Sequence, residues 1–268
     1  MHFKISREAL LKPLQMASGV VERRQTLPIL SNVLLVLRGG ELSLTGTDLE
    51  VELIGRTAVD EEIKSGDVTV PARKFLDICK SLADDVQLEC KLADNKLTLK
   101  AGRSRFTLTT LPAAEFPRIE EEPDSFSVTI AQQKLRALLD NTSFAMAQQD
   151  VRYYLNGMLF EIAGDYLRVV ATDGHRLAME TLSMSNAIDQ VQQLILPRKG
   201  ILELSRLLSD EEGEITLTFG QNHIRAEVPS YSFTSKLVDG KFPYNRVLPK
   251  GGDKVVSGNC NELRAAFS

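Results

Sequence analysis

The chain has 268 residues, 43% apolar and 25% charged, with a formal net charge of −4. That length predicts about two domains, and the lack of any run of about 18 apolar residues or of a signal peptide over Met1–Leu11 argues against a membrane-spanning or exported protein. Cys79, Cys90 and Cys260 are odd in number and show no metal-ligand spacing, so they read as reduced thiols in a cytoplasmic protein with no bound metal or cofactor.

From the N-terminus, His2–Ile5 alternates as a strand, and Ser6 ahead of Arg7-Glu8-Ala9 signals a helix running to about Ala17. Asn32–Leu37, Leu42–Gly46 and Glu50–Leu53 read as strands separated by turns at Gly39-Gly40 and Thr47-Asp48. Val68–Val70 restarts the unit, with Pro71 opening a second helix over Ala72–Leu82. Val86–Leu92, Lys96–Lys100 and Arg105–Thr110 complete it as strands, with Ala93-Asp94-Asn95 as a hairpin turn. A second such series carries helices near Ala131–Ser143 and Arg198–Leu208.

The second series is a copy of the first. At an offset of 125, Leu30, Leu34, Gly39, Leu42, Thr47 and Asp48 fall on Leu155, Leu159, Gly164, Leu167, Thr172 and Asp173 without a gap. At 126, Pro71, Leu76, Leu82 and Asp84 fall on Pro197, Leu202, Leu208 and Asp210. Both copies close alike, with Phe106-Thr107 and Phe116-Pro117 answered by Phe233-Thr234 and Phe242-Pro243. So long a period makes each copy a whole domain with its own core. We expect domains at about 1–121 and 128–248, joined by the charged linker Glu120-Glu121-Glu122-Pro123-Asp124. Leu263-Arg264-Ala265 echoes Leu135-Arg136-Ala137 behind a short apolar strand pattern, so 254–268 reads as the start of a third copy that is cut short.

Charge is distributed unevenly. The four predicted helices carry a net +6, leaving −10 on the rest of the chain. An acidic protein with basic helices can present them to a polyanion, although surface helices also gather Lys and Arg by chance.

Several motifs together resemble the bacterial DNA polymerase III β subunit family, the sliding clamps. They are Leu27–Leu30, Leu44–Glu50, Val70–Phe75, Gly102–Phe106, Gln149–Met158, Ala171–Leu177 and Phe233–Gly240, in order along essentially the whole chain. The resemblance implies an α+β DNA-clamp fold of repeated domains, each with two helices packed on antiparallel sheets. It implies a non-catalytic processivity factor acting in the cytoplasm at the nucleoid. Full-length chains of the family form a homodimer ring around double-stranded DNA without sequence preference. Its partners would be the clamp loader and the replicative and repair DNA polymerases, which bind through short peptide motifs.

By the same resemblance, Arg24, Arg73, Gln149, Tyr153, Tyr154, Arg198 and Lys199 are candidate DNA contacts. Tyr153 and Tyr154 open an apolar strand, where core packing is an equally good reading. A partner-peptide pocket carries over onto Leu155, Thr172, Gly174, His175, Arg176, Leu177, Pro243, Arg246 and Val247. Only Tyr244 and Asn245 stand between Pro243 and Arg246, one residue fewer than the family pattern. Copy one has Leu49 and Glu50 where copy two has Gly174 and His175, and the glycine opens space beside a strand. Ring closure would use Arg103, Arg105, Phe106 and Leu108, with Phe106 and Leu108 forming an apolar stripe on an open sheet edge.

Two other readings compete. Asp173 near His175 could be a hydrolase's acid–base pair, yet no nucleophile or phosphate loop accompanies it, and Thr-Asp recurs in the first copy without the histidine. A two-domain clamp closing as a three-chain ring would not need the partial third copy.

Overall fold

The structure, a computed structural model, describes residues 1–22, 27–119, 125–185, 190–208, 213–244, 248 and 253–267. In the first copy β1 (His2–Ser6) leads into α1 (Arg7–Gly19), which the Ser6 hydroxyl caps by accepting the Ala9 N–H at 3.2 Å. There follow β2 (Asn32–Arg38), β3 (Glu41–Thr47), β4 (Val51–Ala58), β5 (Glu61–Lys64), β6 (Gly66–Pro71), α2 (Ala72–Ser81), β7 (Gln87–Ala93), β8 (Lys96–Ala101) and β9 (Ser104–Thr109). The second copy contains β10 (Phe126–Ala131), α3 (Gln132–Thr142), β11 (Gly157–Ile162), β12 (Tyr166–Thr172), β13 (Leu177–Ser183), β14 (Gln192–Pro197), α4 (Arg198–Leu207), β15 (Glu214–Phe219), β16 (His223–Val228) and β17 (Tyr231–Lys236). The sequence offsets hold at the level of elements: β3 and β12 are 125 apart at both ends, and α2 and α4 are 126 apart. β5 was not expected, because its Glu-Glu-Ile-Lys sequence lacks an apolar alternation.

Every strand pairing is antiparallel, and the order of strands repeats. One sheet runs β5-β1-β7-β8-β9, a second β13-β12-β11-β14, and an eight-stranded sheet runs β10-β15-β16-β17-β4-β3-β2-β6. In the last, β17 of the second copy pairs with β4 of the first, from Tyr231 opposite Gly55 to Ser235 opposite Val51. The two copies thus share one continuous sheet, in an α+β architecture.

Helices α1 and α4 lie on the same face of that sheet. A Cβ on Gly46 of β3 would fall 1.9 Å from the Ala17 carbonyl oxygen, so only glycine lets α1 approach so closely. A Cβ on Gly200 of α4 would fall 2.7 Å from the Ser235 hydroxyl of β17. The first copy buries Phe3, Leu14, Phe75 and Leu99 in its own core; the second buries Phe160, Leu204, Phe219 and Phe233 and takes in Val20, Val51 and Leu53 from the first. This shared apolar seam fixes how the copies meet.

The echo near residue 263 is helical, as α5 (Cys260–Ala266), capped by the Asn259 side chain accepting the Asn261 and Glu262 N–H groups. The strand expected ahead of it is not formed: residues 254–258 carry no strand and are exposed. No described helix is long and apolar enough to cross a membrane.

Candidate nucleic-acid and peptide interfaces

The basic helix residues Lys12, Arg73, Lys74, Lys80 and Lys134 are exposed, and Arg198 is half-buried at the start of α4. Arg24 lies outside the described residues, as do Arg246 and Val247. Lys199 differs from its neighbours. Its ammonium donates to Glu22 at 2.7 Å and to the Asp48 carboxylate, both from the first copy. Burial lowers its pKa, but these two carboxylates outweigh burial and hold it above the ordinary lysine value. Lys199 is a tie across the seam, and its charge is already neutralised there.

Gln149, Tyr153 and Tyr154 lie in one loop. The strand expected at the tyrosines is a 3-10 turn (Tyr153–Leu155), because the Asn156 N–H returns to the Tyr153 carbonyl at 3.1 Å. The turn leaves Tyr153 58% exposed and sets it edge-on against Tyr154, which packs half-buried against the cluster that Leu155 enters. Gln149 holds a left-handed φ of 57°. The Asn156 side chain accepts the Asp150 N–H and donates to the Asp150 carbonyl, both at 2.9 Å. Arg152 bonds the Asp150 carboxylate through Nε and Nη2, and these bonds hold that carboxyl down at about 2.

The Thr172–Leu177 turn is built like Thr47–Glu52. Asp48 accepts the N–H groups of Glu50 and Val51, and Asp173 accepts those of His175 and Arg176 at 2.9 and 3.0 Å. Thr47 and Thr172 each donate to the carbonyl four residues on. Asp173 therefore serves the backbone and Arg176, not the imidazole, which removes the acid–base reading. Backbone hydrogen bonds from His175 and Arg176 also lower its pKa. Gly174 does something other than open space. Its φ is 90°, and a Cβ there would stand 3.0 Å from the Arg152 guanidinium, which also donates to the Asp173 carbonyl at 3.2 Å. Arg152 thus fastens the tyrosine loop to the turn. Sequence reasoning passed over it, although its opposite charge to Asp150 two residues before was a usable signal.

Beside this turn a small apolar cluster forms from Leu155, Leu159, Val170, Ile195, Phe242 and Tyr244, with Leu177 and Val238 half-buried against it. Of the candidate pocket residues, Leu155 and Leu177 meet in this cluster, Thr172 stands opposite Leu177 in the β12–β13 register and Pro243 lies between Phe242 and Tyr244, while His175 and Arg176 are exposed. Phe242, known from sequence only as a match to Phe116, and Tyr244 complete this cluster and were not among the candidate pocket residues.

At the far end of the first copy, β9 is an edge strand carrying exposed Arg105, with exposed Arg103 just before it. The open apolar stripe expected there is not found: Leu108 is 2% exposed and Phe106 packs beside it on the first core. That face of the strand covers its own domain, so the open part of the edge is its backbone.

Among the described residues no group of three His, Cys, Asp or Glu side chains could hold a metal. The sequence matches the family described as DNA polymerase III beta subunit, N-terminal domain, over residues 1–120 and its central domain over 129–244. It is 63% identical over 269 residues to the beta sliding clamp of Pseudomonas aeruginosa, 51% to that of Vibrio cholerae and 48% to that of Escherichia coli; all of this chain and 73% of each relative are covered. The crystal structure of the DNA polymerase III subunit beta from Pseudomonas aeruginosa superposes with a TM-score of 0.95 over all of this chain and 73% of that one. A second structure of that protein, bound to griselimycin, matches equally well.

Proposed function

The chain belongs to the DNA polymerase III beta subunit family, and as a sliding clamp it is a non-catalytic processivity factor; from that premise we propose how its own residues do the work. A clamp holds a polymerase on duplex DNA by enclosing the helix, so its contacts with DNA must be weak and blind to sequence. Lys and Arg on flexible stems provide this, because phosphate attraction alone leaves a protein free to slide. Arg24, Arg73, Gln149, Tyr153, Tyr154 and Arg198 are the residues we assign to that role, with Lys199 reserved for the seam.

The observation that carries this reading is the sheet shared between copies, with α1 and α4 on one face. β17 pairs with β4, and their equivalents β9 and β13 are both edges. Further domains added by the same pairing continue the sheet and keep helices on one side, which is a ring wall with a basic inner surface. We assign Arg103, Arg105 and the β9 backbone to closure with another chain, so that the full-length protein forms a dimer. The place of action we infer is the cytoplasm, at the nucleoid.

Partner peptides would dock on Leu155, Thr172, Gly174, His175, Arg176, Leu177, Pro243, Arg246 and Val247. Burying one Leu or Phe anchor there contributes about 1.5–3 kcal/mol. The test is a labelled peptide carrying a Gln and a Leu–Phe pair. It should bind, and Leu177→Lys should abolish binding; unchanged affinity in that variant refutes the socket. For the ring, clamps loaded on circular DNA should be retained until the circle is cut, and retention on linear DNA with free ends refutes enclosure.

A further inference from the structure

The cluster beneath the candidate socket ends in a buried charge. On the face of the second copy's sheet that carries Leu159, one row across the strands is Ile195, Leu159, Val170 and Met179, and the next is Gln193, Glu161, Arg168 and Thr181. The first row is the apolar floor; the second is polar. Glu161 is only 4% exposed, yet its carboxylate accepts from Gln193 at 2.6 Å, Tyr166 at 2.9 Å and Arg168 at 3.0 Å. Burial raises its pKa most strongly, but the bonds from Gln193, Tyr166 and Tyr244 and the charge of Arg168 reverse that and keep it below the ordinary value.

The remaining donor comes from outside the sheet. The Tyr244 hydroxyl lies 3.0 Å from both Glu161 oxygens and also accepts from Arg168 at 3.3 Å. Tyr244 is 3% exposed and Phe242 5%, with Pro243 between them. This segment is fastened at two points only a few residues apart: Val238 donates its N–H to the Ile195 carbonyl at 2.8 Å, and Tyr244 reaches Glu161. Between them Gly240 turns the chain at a φ of 144°. The Tyr244 carbonyl in turn accepts the Leu248 N–H at 3.1 Å.

We propose that Glu161, which lies outside the socket, is a positioning residue for partner binding: it fixes the socket's far wall, Phe242–Tyr244, by holding the Tyr244 hydroxyl. The proposal rests on the socket reading above. A buried carboxylate without partners is costly, and a Tyr reaching the sheet is a strong orienting bond. Freed of it, the wall keeps its apolar contacts and the longer Arg168 bond at 3.3 Å but loses the charged acceptor that sets its depth against Leu155 and Leu177.

The test is affinity for the labelled Gln and Leu–Phe peptide, measured beside thermal melting on the same variants. Tyr244→Phe removes one O–H and should weaken binding about tenfold, equivalent to about 1.4 kcal/mol. Glu161→Gln keeps an acceptor for Tyr244 and should recover most of the affinity that Glu161→Leu loses. Adding Tyr244→Phe to Glu161→Leu should cost nothing further, as for two members of one unit. If Glu161→Leu does not fold, Tyr244→Phe alone decides. Unchanged peptide affinity in Tyr244→Phe, with only its melting lowered, overturns the positioning role while Leu177→Lys still abolishes binding. Unchanged affinity in Leu177→Lys overturns the socket and this proposal with it.

Discussion

Replacing Lys199 by Met separates two roles for a residue that its sequence places among basic, DNA-facing helix positions. Its ammonium meets Glu22 and Asp48, with side chains 55% and 4% exposed, and is itself 30% exposed. Breaking a fully buried pair costs about 3–5 kcal/mol, and an exposed pair about 0–1. Asp48 is closed off from water but keeps the Glu50 and Val51 N–H donors at 2.9 and 2.7 Å, so removing the lysine leaves it partly satisfied. An intermediate loss of about 1–2 kcal/mol follows, or a few degrees of melting temperature. Urea unfolding of Lys199→Met, Glu22→Gln and the double variant should show coupling between the two sites. Because the folded pKa of Lys199 is raised above 10.5, this contribution is complete below that pH and disappears as pH climbs through the raised value. The slope of DNA affinity against salt should not change, whereas a phosphate contact would lower it by about 0.9. A reduced slope with unchanged stability would refute the assignment of Lys199 to the seam.

Other expectations concern separate parts of the molecule. Arg73→Glu, on the exposed face of α2, should weaken binding of the assembled ring to DNA about equally across sequences and leave unfolding within about 0.5 kcal/mol of the parent; a sequence-dependent loss would contradict it. Gly174→Ala should destabilise by about 1–2 kcal/mol for its positive φ, with shifted resonances at Arg152 and Tyr153. Shifts confined to residues 173–175 would count against the Arg152 link. Burial pushes the Cys79 thiol up to about 12 and Cys90 higher still, while Cys260 is exposed. An alkylating reagent at pH 8 should therefore modify Cys260 alone until the protein unfolds, and rapid loss of all three thiols would show the first core to be open.

What the sequence made legible follows from the range of the interactions involved. The helices, the hairpins and the Thr-Asp turns rest on contacts within a few residues, and the duplication let each be checked against its twin. Lys199, Glu161 and Tyr244 were opaque because their partners are distant: Lys199 meets residues 177 and 151 positions away, and Tyr244 meets Glu161 across 83. Tyr153 and Tyr154 were misplaced in a strand because aromatic residues before an apolar run fit that pattern, and the turn depends on how the Asn156 side chain and backbone fold back.

The duplication also sets the proposed socket beside its counterpart in the first copy. The 125-residue offset lays Leu177 on Glu52, Leu155 on Leu30 and Leu159 on Leu34, and Phe116 answers Phe242. Leu30, Leu34 and Phe116 form the matching apolar cluster in the first copy. There, however, Glu52 is 4% exposed and its carboxylate receives the Ile119 N–H at 3.4 Å, while burial raises its pKa. The chain leaving Phe116 is drawn down over that site. In the second copy Leu177 offers no acceptor at the same place, and the chain after Phe242 is instead held two strands away, on β11, where Tyr244 reaches Glu161. A similar contrast holds one residue earlier. Val51 is buried because β4 pairs with β17 across the seam, whereas Arg176 is exposed just before the edge strand β13. The inherited surface is thus polar where two domains join, with Glu52, Arg118 and Arg225 lining a cavity there, whereas its counterpart keeps an apolar floor with Arg176 at its rim, the site proposed for the Leu–Phe peptide.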